Sequence, residues 1–246
     1  MHVFIEKPLG MNSKGWSNVS KICKKNKLIN YVAYSYRHIN YMKFAKKLLK
    51  QNKIGKVISG NIRWGSYLPD WHPWEKYYNF YMAKKEQGGG ALMDESHGID
   101  ILRYLVGEVE SVFAILDTIS GLKLTSDDNA LLTMRMKNNS LFQINFDLHS
   151  RFPRVSLEIL GTKGNMFIDR VKNEVSYYNV KSKIWKKYKF SKKDYLKMYL
   201  EQAKYFLNCI SKKNKAEVDI LDGIKTQKII DLSFSSSKQK RMLKIR

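Results

Sequence analysis

Val3-Phe4-Ile5-Glu6-Lys7-Pro8 is a short apolar, β-prone run that halts at a charged turn. Such a run is the pattern of a strand buried on both faces of a parallel sheet. Just beyond it, Trp16, Val19, Ser20 and Cys23 recur at helical spacing, with Ser13 placed to cap the helix. Residues 31–36, Tyr-Val-Ala-Tyr-Ser-Tyr, predict a second strand. An amphipathic helix over 40–51 follows, with Tyr41, Phe44, Ala45, Leu48 and Leu49 on one face and Gly55 ending the pattern. The first fifty-odd residues thus read as β-α-β-α, the tail of a doubly wound α/β sheet.

The pattern then changes. Residues 57–67 predict a strand, 68–74 an aromatic, proline-bearing loop and 77–85 a helical stretch. Gly88-Gly89-Gly90 is a hinge before a helix over 91–106, which Gly107 closes. Six β-prone runs follow, at 109–118, 130–137, 140–148, 155–160, 165–169 and 174–178, some divided by turn signals such as Gly161-Thr162-Lys163-Gly164. Helices over 193–212 and 222–237 close the chain. The expected fold class is α/β (α+β). A partial doubly wound unit, residues 1–55, precedes a unit with a large, mainly antiparallel open sheet, residues 56–246, whose last helices can pack back on the first.

The 246 residues are 43% hydrophobic and 13% aromatic, enough for a packed core. No apolar run reaches the roughly 20 residues that cross a bilayer, and export is not expected from the opening residues. Cys23 and Cys209 stand far apart without metal-ligand spacing, so a reduced cytoplasmic protein is expected. The net charge of +23 raises nucleic-acid binding. Lysine is spread over most segments, however, and the basic clusters match no recognised module. The expectation is loose attraction to phosphate-bearing ligands and no specific nucleic acid.

Three places could carry chemistry. Lys7 is either a surface cation or, at the C-terminal edge of parallel strands where ligands bind, an ammonium facing a substrate hydroxyl. Asp94 and His97 lie three apart on an expected helix and share a face. Upstream glycines let backbone approach a ligand, and the helix start favours a neutral imidazole suited to base catalysis. The alternative is an interior histidine beside a first-turn aspartate. Asp100 extends the series, but no further ligand set supports a metal. The loop with Tyr67, Asp70, Trp71 and His72 offers flat surfaces and polar contacts for a sugar, or is a rigid packing loop. Tyr36-Arg37 ends the second expected strand near the same cleft.

Taken together, and in this order, Phe4-Ile5-Glu6-Lys7-Pro8-Leu9, Tyr34-Ser35-Tyr36-Arg37, the segment from Gly88 to Asp100, Leu157–Gly164 and the closing Asp222-Gly223-x-x-Thr226 helix resemble the glucose–fructose oxidoreductase / inositol dehydrogenase (Gfo/Idh/MocA) family. The resemblance implies an NAD(P)-dependent dehydrogenase with a Rossmann domain and a second domain whose open sheet covers the site and often dimerises. The substrate expected is a sugar or nucleotide-sugar hydroxyl or ketone. It implies Lys7, His97 and Asp94 as catalytic residues, with Glu6, Lys7, Pro8 and Arg37 toward NAD or NADP. Many relatives space the Asp and His four apart, which leaves open which of the two touches substrate here. No Gly-x-Gly-x-x-Gly turn occurs near the start, so an N-terminally truncated chain with weak dinucleotide binding is expected. A non-catalytic sugar-binding or assembly protein that keeps the sheet is the rival reading.

Overall fold

The computed structural model describes residues 1–245. Strand β1 (Val3–Ile5) pairs in parallel with β2 (Asn30–Val32), Phe4 opposite Tyr31, and α1 (Trp16–Lys25) crosses between them. Helix α2 (Asn40–Lys50) buries Tyr41, Ala45 and Leu48 of the expected face and Met42 beside them, with Phe44 and Leu49 half-buried.

A nine-stranded sheet forms the larger part. Its members are β3 (Val57–Tyr67), β4 (Val109–Asp117), β5 (Asn129–Met136), β6 (Leu141–Asp147), β7 (His149–Gly161), β8 (Gly164–Asp169), β9 (Glu174–Asn179), β10 (Ile184–Lys189) and β11 (Leu243–Lys244). They stand in the order β10-β9-β8-β7-β3-β6-β5-β4-β11. Every pairing is antiparallel except that of β3 with β6. Alternation sends Ile62, Trp64, Leu132, Phe142, Ile144 and Phe146 to a covered face, where α2, α4 (His97–Val106) and α6 (Ile220–Gln239) pack. The opposite face is open.

A second core joins the first segments to the chain's end. Leu9, Cys23, Tyr31 and Val32 pack with Cys209, Val218 and Ile220. Val32 N donates to Val218 O at 2.8 Å, and Ile220 N donates to Asn30 Oδ1. The closing helices, α5 (Lys193–Ser211) and α6, lie against these first segments, α6 on α1 and α5 on the turn after β2. The cores do not divide at residue 55, because α2 belongs to the larger cluster.

Four local expectations differ. Helix α1 begins at Trp16 behind Gly15, whose φ is 81°, and Ser13 does not cap it; Ser13 N donates instead to Asp231 Oδ2 of α6. The second strand stops at Val32, since β1 offers only three residues to pair with, and Ser35–His38 turns as a 3₁₀ helix. Residues 77–85 form no α-helix. They break into 3₁₀ turns at Tyr77–Asn79, Tyr81–Ala83 and Lys85–Gln87, with Phe80 drawn onto His72 and the Tyr81 hydroxyl onto Asp94. The helix expected over 91–106 is two: α3 (Ala91–Asp94) and α4, broken at Glu95-Ser96.

Candidate active site

Lys7 leaves the end of β1 and reaches 87 residues along the chain. Its Nζ donates to the Asp94 carbonyl oxygen at 2.5 Å and pairs with Asp94 Oδ1 at 3.4 Å. The Tyr81 hydroxyl donates to the same Oδ1 at 2.6 Å. Asp94 is thereby held from both sides, 9% exposed at its side chain.

The glycine hinge serves this placement. Gly90 takes φ 122° and ψ 158°, and a Cβ there would lie 2.3 Å from Asp127 Oδ1, so no side chain fits. Asp127 then occupies the start of α3: Ala91 N donates to its carbonyl and Leu92 N to its Oδ2. The donors expected to face a ligand at this helix start are taken up internally.

Across the break, His97 lines the same cavity as Lys7 and Asp94, a hollow of about 420 Å³. Its ring lies 4.7 Å from Tyr36 and stacks at 6.2 Å against Trp64. Its Nδ1 is buried with no hydrogen-bond partner among the described residues. Burial, then the charges of Lys7 and Arg170, hold the imidazole well below its usual pKa. The ring is thus neutral, its lone pair unprotonated though its proton affinity is lowered, through desolvation and not through the helix start.

Glu95 sits between these residues, 5% exposed, and also lines the cavity. Burial and the neighbouring Asp94 push its carboxyl up to about 8, against opposing pulls from Lys7, Arg170 and a hydrogen bond with Trp64. It is a neutral acid over most of the physiological range. Arg170, just past β8, and Tyr195, on α5, complete the wall. Sequence reasoning passed over both. Glu95 stood within the quoted motif, whereas a lone arginine in a lysine-rich chain carries no signal.

The remaining expected residues are less convergent. Trp71 lines the cavity and donates from Nε1 to Ser66 Oγ at 2.5 Å. Tyr67, Asp70 and His72 do not line it: Tyr67 lies under the Arg151 guanidinium, Asp70 is exposed, and His72 packs on Phe80 and Trp74. Glu6 is exposed and accepts from Lys7 N, and Pro8 is half-buried. Arg37, expected toward the cofactor, is buried elsewhere. It forks onto Asp100 at 2.8 and 2.5 Å and meets Asp222 at 2.8 Å, which also removes Asp100 from any metal reading.

The chain is similar to several known proteins. The chain is 28% identical over 191 residues to levoglucosan dehydrogenase of Pseudarthrobacter phenanthrenivorans, covering 67% of this chain and 48% of that protein. It is 28% identical over 174 residues to 2,7-anhydro-N-acetylneuraminate hydratase of Escherichia coli, covering 68% and 45%. It therefore spans about half the length of these curated relatives. Myo-inositol 2-dehydrogenase of Thermotoga maritima is 27% identical over 253 residues, covering 99% and 72%. Among solved structures, levoglucosan dehydrogenase in complex with NADH shares the fold at a TM-score of 0.88, 20% identity and coverage of 100% and 73%. The GFO/IDH/MocA C-terminal domain profile matches residues 42–167, just over half of the sequence and including the whole α3–α4 junction. By that match the chain belongs to the GFO/IDH/MocA family.

Proposed function

We propose that this chain contributes the substrate pocket and the acid–base residues of an NAD(P)-dependent dehydrogenase acting on a hydroxyl of a sugar or sugar derivative. The observation that carries the reading is the convergence of Lys7, Asp94 and His97 on one cavity. Similarity to dehydrogenases of levoglucosan and myo-inositol supports it.

The residues at the mouth of β1 fit a nicotinamide: β1 and β2 are parallel, and Lys7 follows directly from the strand end where open α/β sheets bind ligands. Glu6, Lys7 and Pro8 would hold that end of the cofactor, which when bound supplies the hydride acceptor. His97, kept neutral, takes the substrate hydroxyl proton. The Lys7 ammonium hydrogen-bonds the same oxygen and favours its developing negative charge. Asp94 positions Lys7, Tyr81 fixes Asp94, and Trp71 offers the sugar an apolar wall. In this reading residues 1–55 face the dinucleotide, and residues 56–246 hold the substrate and self-associate through the open sheet.

The test is sugar-dependent NAD(P)H formation over a panel of sugars, with His97→Asn and Lys7→Met beside the wild type. Both variants are expected to lose at least about a hundredfold in turnover, the usual scale for a positioned acid or base. Turnover that survives in His97→Asn at more than half the wild-type rate would refute the assignment.

A further inference from the structure

Among the described residues, Arg37 and Arg103 are buried and Arg170 is half-buried, and their surroundings differ in kind. Arg37 holds Asp100 and Asp222, while Arg103 holds Glu108 and Asp222. Arg170 has no carboxylate within ion-pair distance and no hydrogen-bond acceptor among the described residues. Its guanidinium lies over two aromatic rings instead, 4.1 Å from Tyr195 and 5.9 Å from Tyr36. Stacking fixes the plane of the guanidinium and leaves its N–H edge for another partner. Half-buried and without a protein acceptor, the guanidinium keeps its N–H groups available at the cavity, where an anion can take them.

That edge belongs to the cavity already described, which Arg170 lines. Tyr36 neighbours both groups: its ring centre is 5.9 Å from the Arg170 guanidinium and 4.7 Å from that of His97. Asp94 is committed to Lys7 and Tyr81, Glu95 is pushed up to about 8 by burial and Asp94, and His97 is neutral. No carboxylate of the cavity lies within ion-pair distance of Arg170, whose attraction to Glu95 acts only from farther off.

We propose that Arg170, stacked on Tyr195 and Tyr36, receives an anionic oxygen group of the substrate, so that the pocket takes sugars bearing a carboxylate or phosphate in preference to neutral ones. Planar, bidentate recognition of such groups is what a fixed guanidinium fork does best. Anchored there, the sugar ring extends past Tyr36 toward His97 and Lys7. Glu95, as a neutral acid, donates to the ligand and does not repel it. The inference rests on the sugar-dehydrogenase reading and names its substrate class.

The experiment is calorimetric binding of matched sugars to the full chain: D-glucose, D-glucuronate and D-glucose 6-phosphate, extended to the corresponding galactose set. Wild type is compared with Arg170→Met and Arg170→Lys, each first checked by thermal melting. An anionic member is expected to bind at least about tenfold more tightly than its neutral counterpart. Arg170→Met should abolish that preference and Arg170→Lys retain part of it, on the scale of a charged hydrogen bond. Preference for uronates over phosphates, or the reverse, identifies the group. A neutral sugar binding as tightly as its acids, or an acid preference unchanged in both variants, would overturn the Arg170 assignment while leaving the dehydrogenase reading intact. Failure of every sugar to bind the wild type would remove the dehydrogenase reading itself.

Discussion

Glu95 shows how one residue of this site answers burial by holding a proton. Its carboxyl ionises at about 8 in the folded chain against an ordinary value of 4.5, with burial the main cause and Asp94 the next. A carboxyl raised in this way keeps its proton in the folded state after the unfolded chain has lost it. Its contribution to stability is complete below 4.5 and drains away as pH rises toward about 8. Melting temperature should therefore fall across that interval in the wild type and fall less in Glu95→Gln, which cannot ionise. Matching slopes for the two proteins would show that Glu95 does not couple to folding. The same residue marks what the sequence could reveal. Lys7, Asp94 and His97 were legible because each sits in a short, ordered motif whose residue types suit proton transfer. Glu95 lay between them unremarked, since its chemistry comes from burial, which the motif does not display. Arg37 was misplaced for the converse reason: its partners Asp100 and Asp222 are 63 and 185 residues away.

Among the elements, the junction of α3 and α4 does most to shape the site. The sequence predicted one helix over 91–106, but the break at Glu95-Ser96 has no signal in spacing alone. It follows from packing. Gly98 brings the first turn of α4 so close to the sheet that a Cβ would stand 2.5 Å from Phe146 Cε1 and 2.8 Å from its Cζ, both fully covered. Gly98→Ala should therefore destabilise the protein by about 1–3 kcal/mol despite the better helix propensity of alanine. Chemical denaturation measures it, and an unchanged or raised midpoint would mean that α4 has room to move. Farther along α4, Asp100 is fully buried between Arg37 and Arg103. Asn keeps one acceptor oxygen, and Asp222 and Glu108 still hold the two guanidinium groups, so Asp100→Asn should cost about 1–3 kcal/mol in chemical denaturation. The strands were easier to read than the helix break, because a two-residue period survives in β5 and β6 whatever packs upon them. The 77–85 stretch was misread because its aromatic residues satisfy separate tertiary contacts, which outweigh a modest helical propensity.

For the whole molecule, the uneven distribution of charge is the most telling feature. Lysine and arginine number 45 in 246 residues, yet the groove on the open face of the sheet is lined by Phe113, Ile115, Leu131, Thr133, Gln143 and Asn145 with Arg63 as its one charged member. Ile115 and Leu131 stand directly opposite in the β4–β5 register and are 52% and 43% exposed. A surface so depleted of lysine, keeping apolar residues, amides and one arginine, has the make-up of an interface core. The antiparallel sheet itself was legible in the alternating runs, but this depletion emerges only when the register sets strands distant in sequence side by side. The chain is expected to form a two-fold dimer through this face. Light scattering should give twice the chain mass for the wild type. Leu131→Glu, which puts a carboxylate at the centre of the face without touching the covered core, should give the monomer with unchanged circular dichroism. A wild type that stays monomeric at high concentration would show that the face is covered by something other than a second copy. A Leu131→Glu protein that remains dimeric would move the contact to another surface. Because the cavity lies against the covered side of the sheet, where Trp64 and Val155 line it, neither outcome should alter sugar binding, and a change in affinity in the monomeric variant would mean that the two faces communicate through β3 and β7.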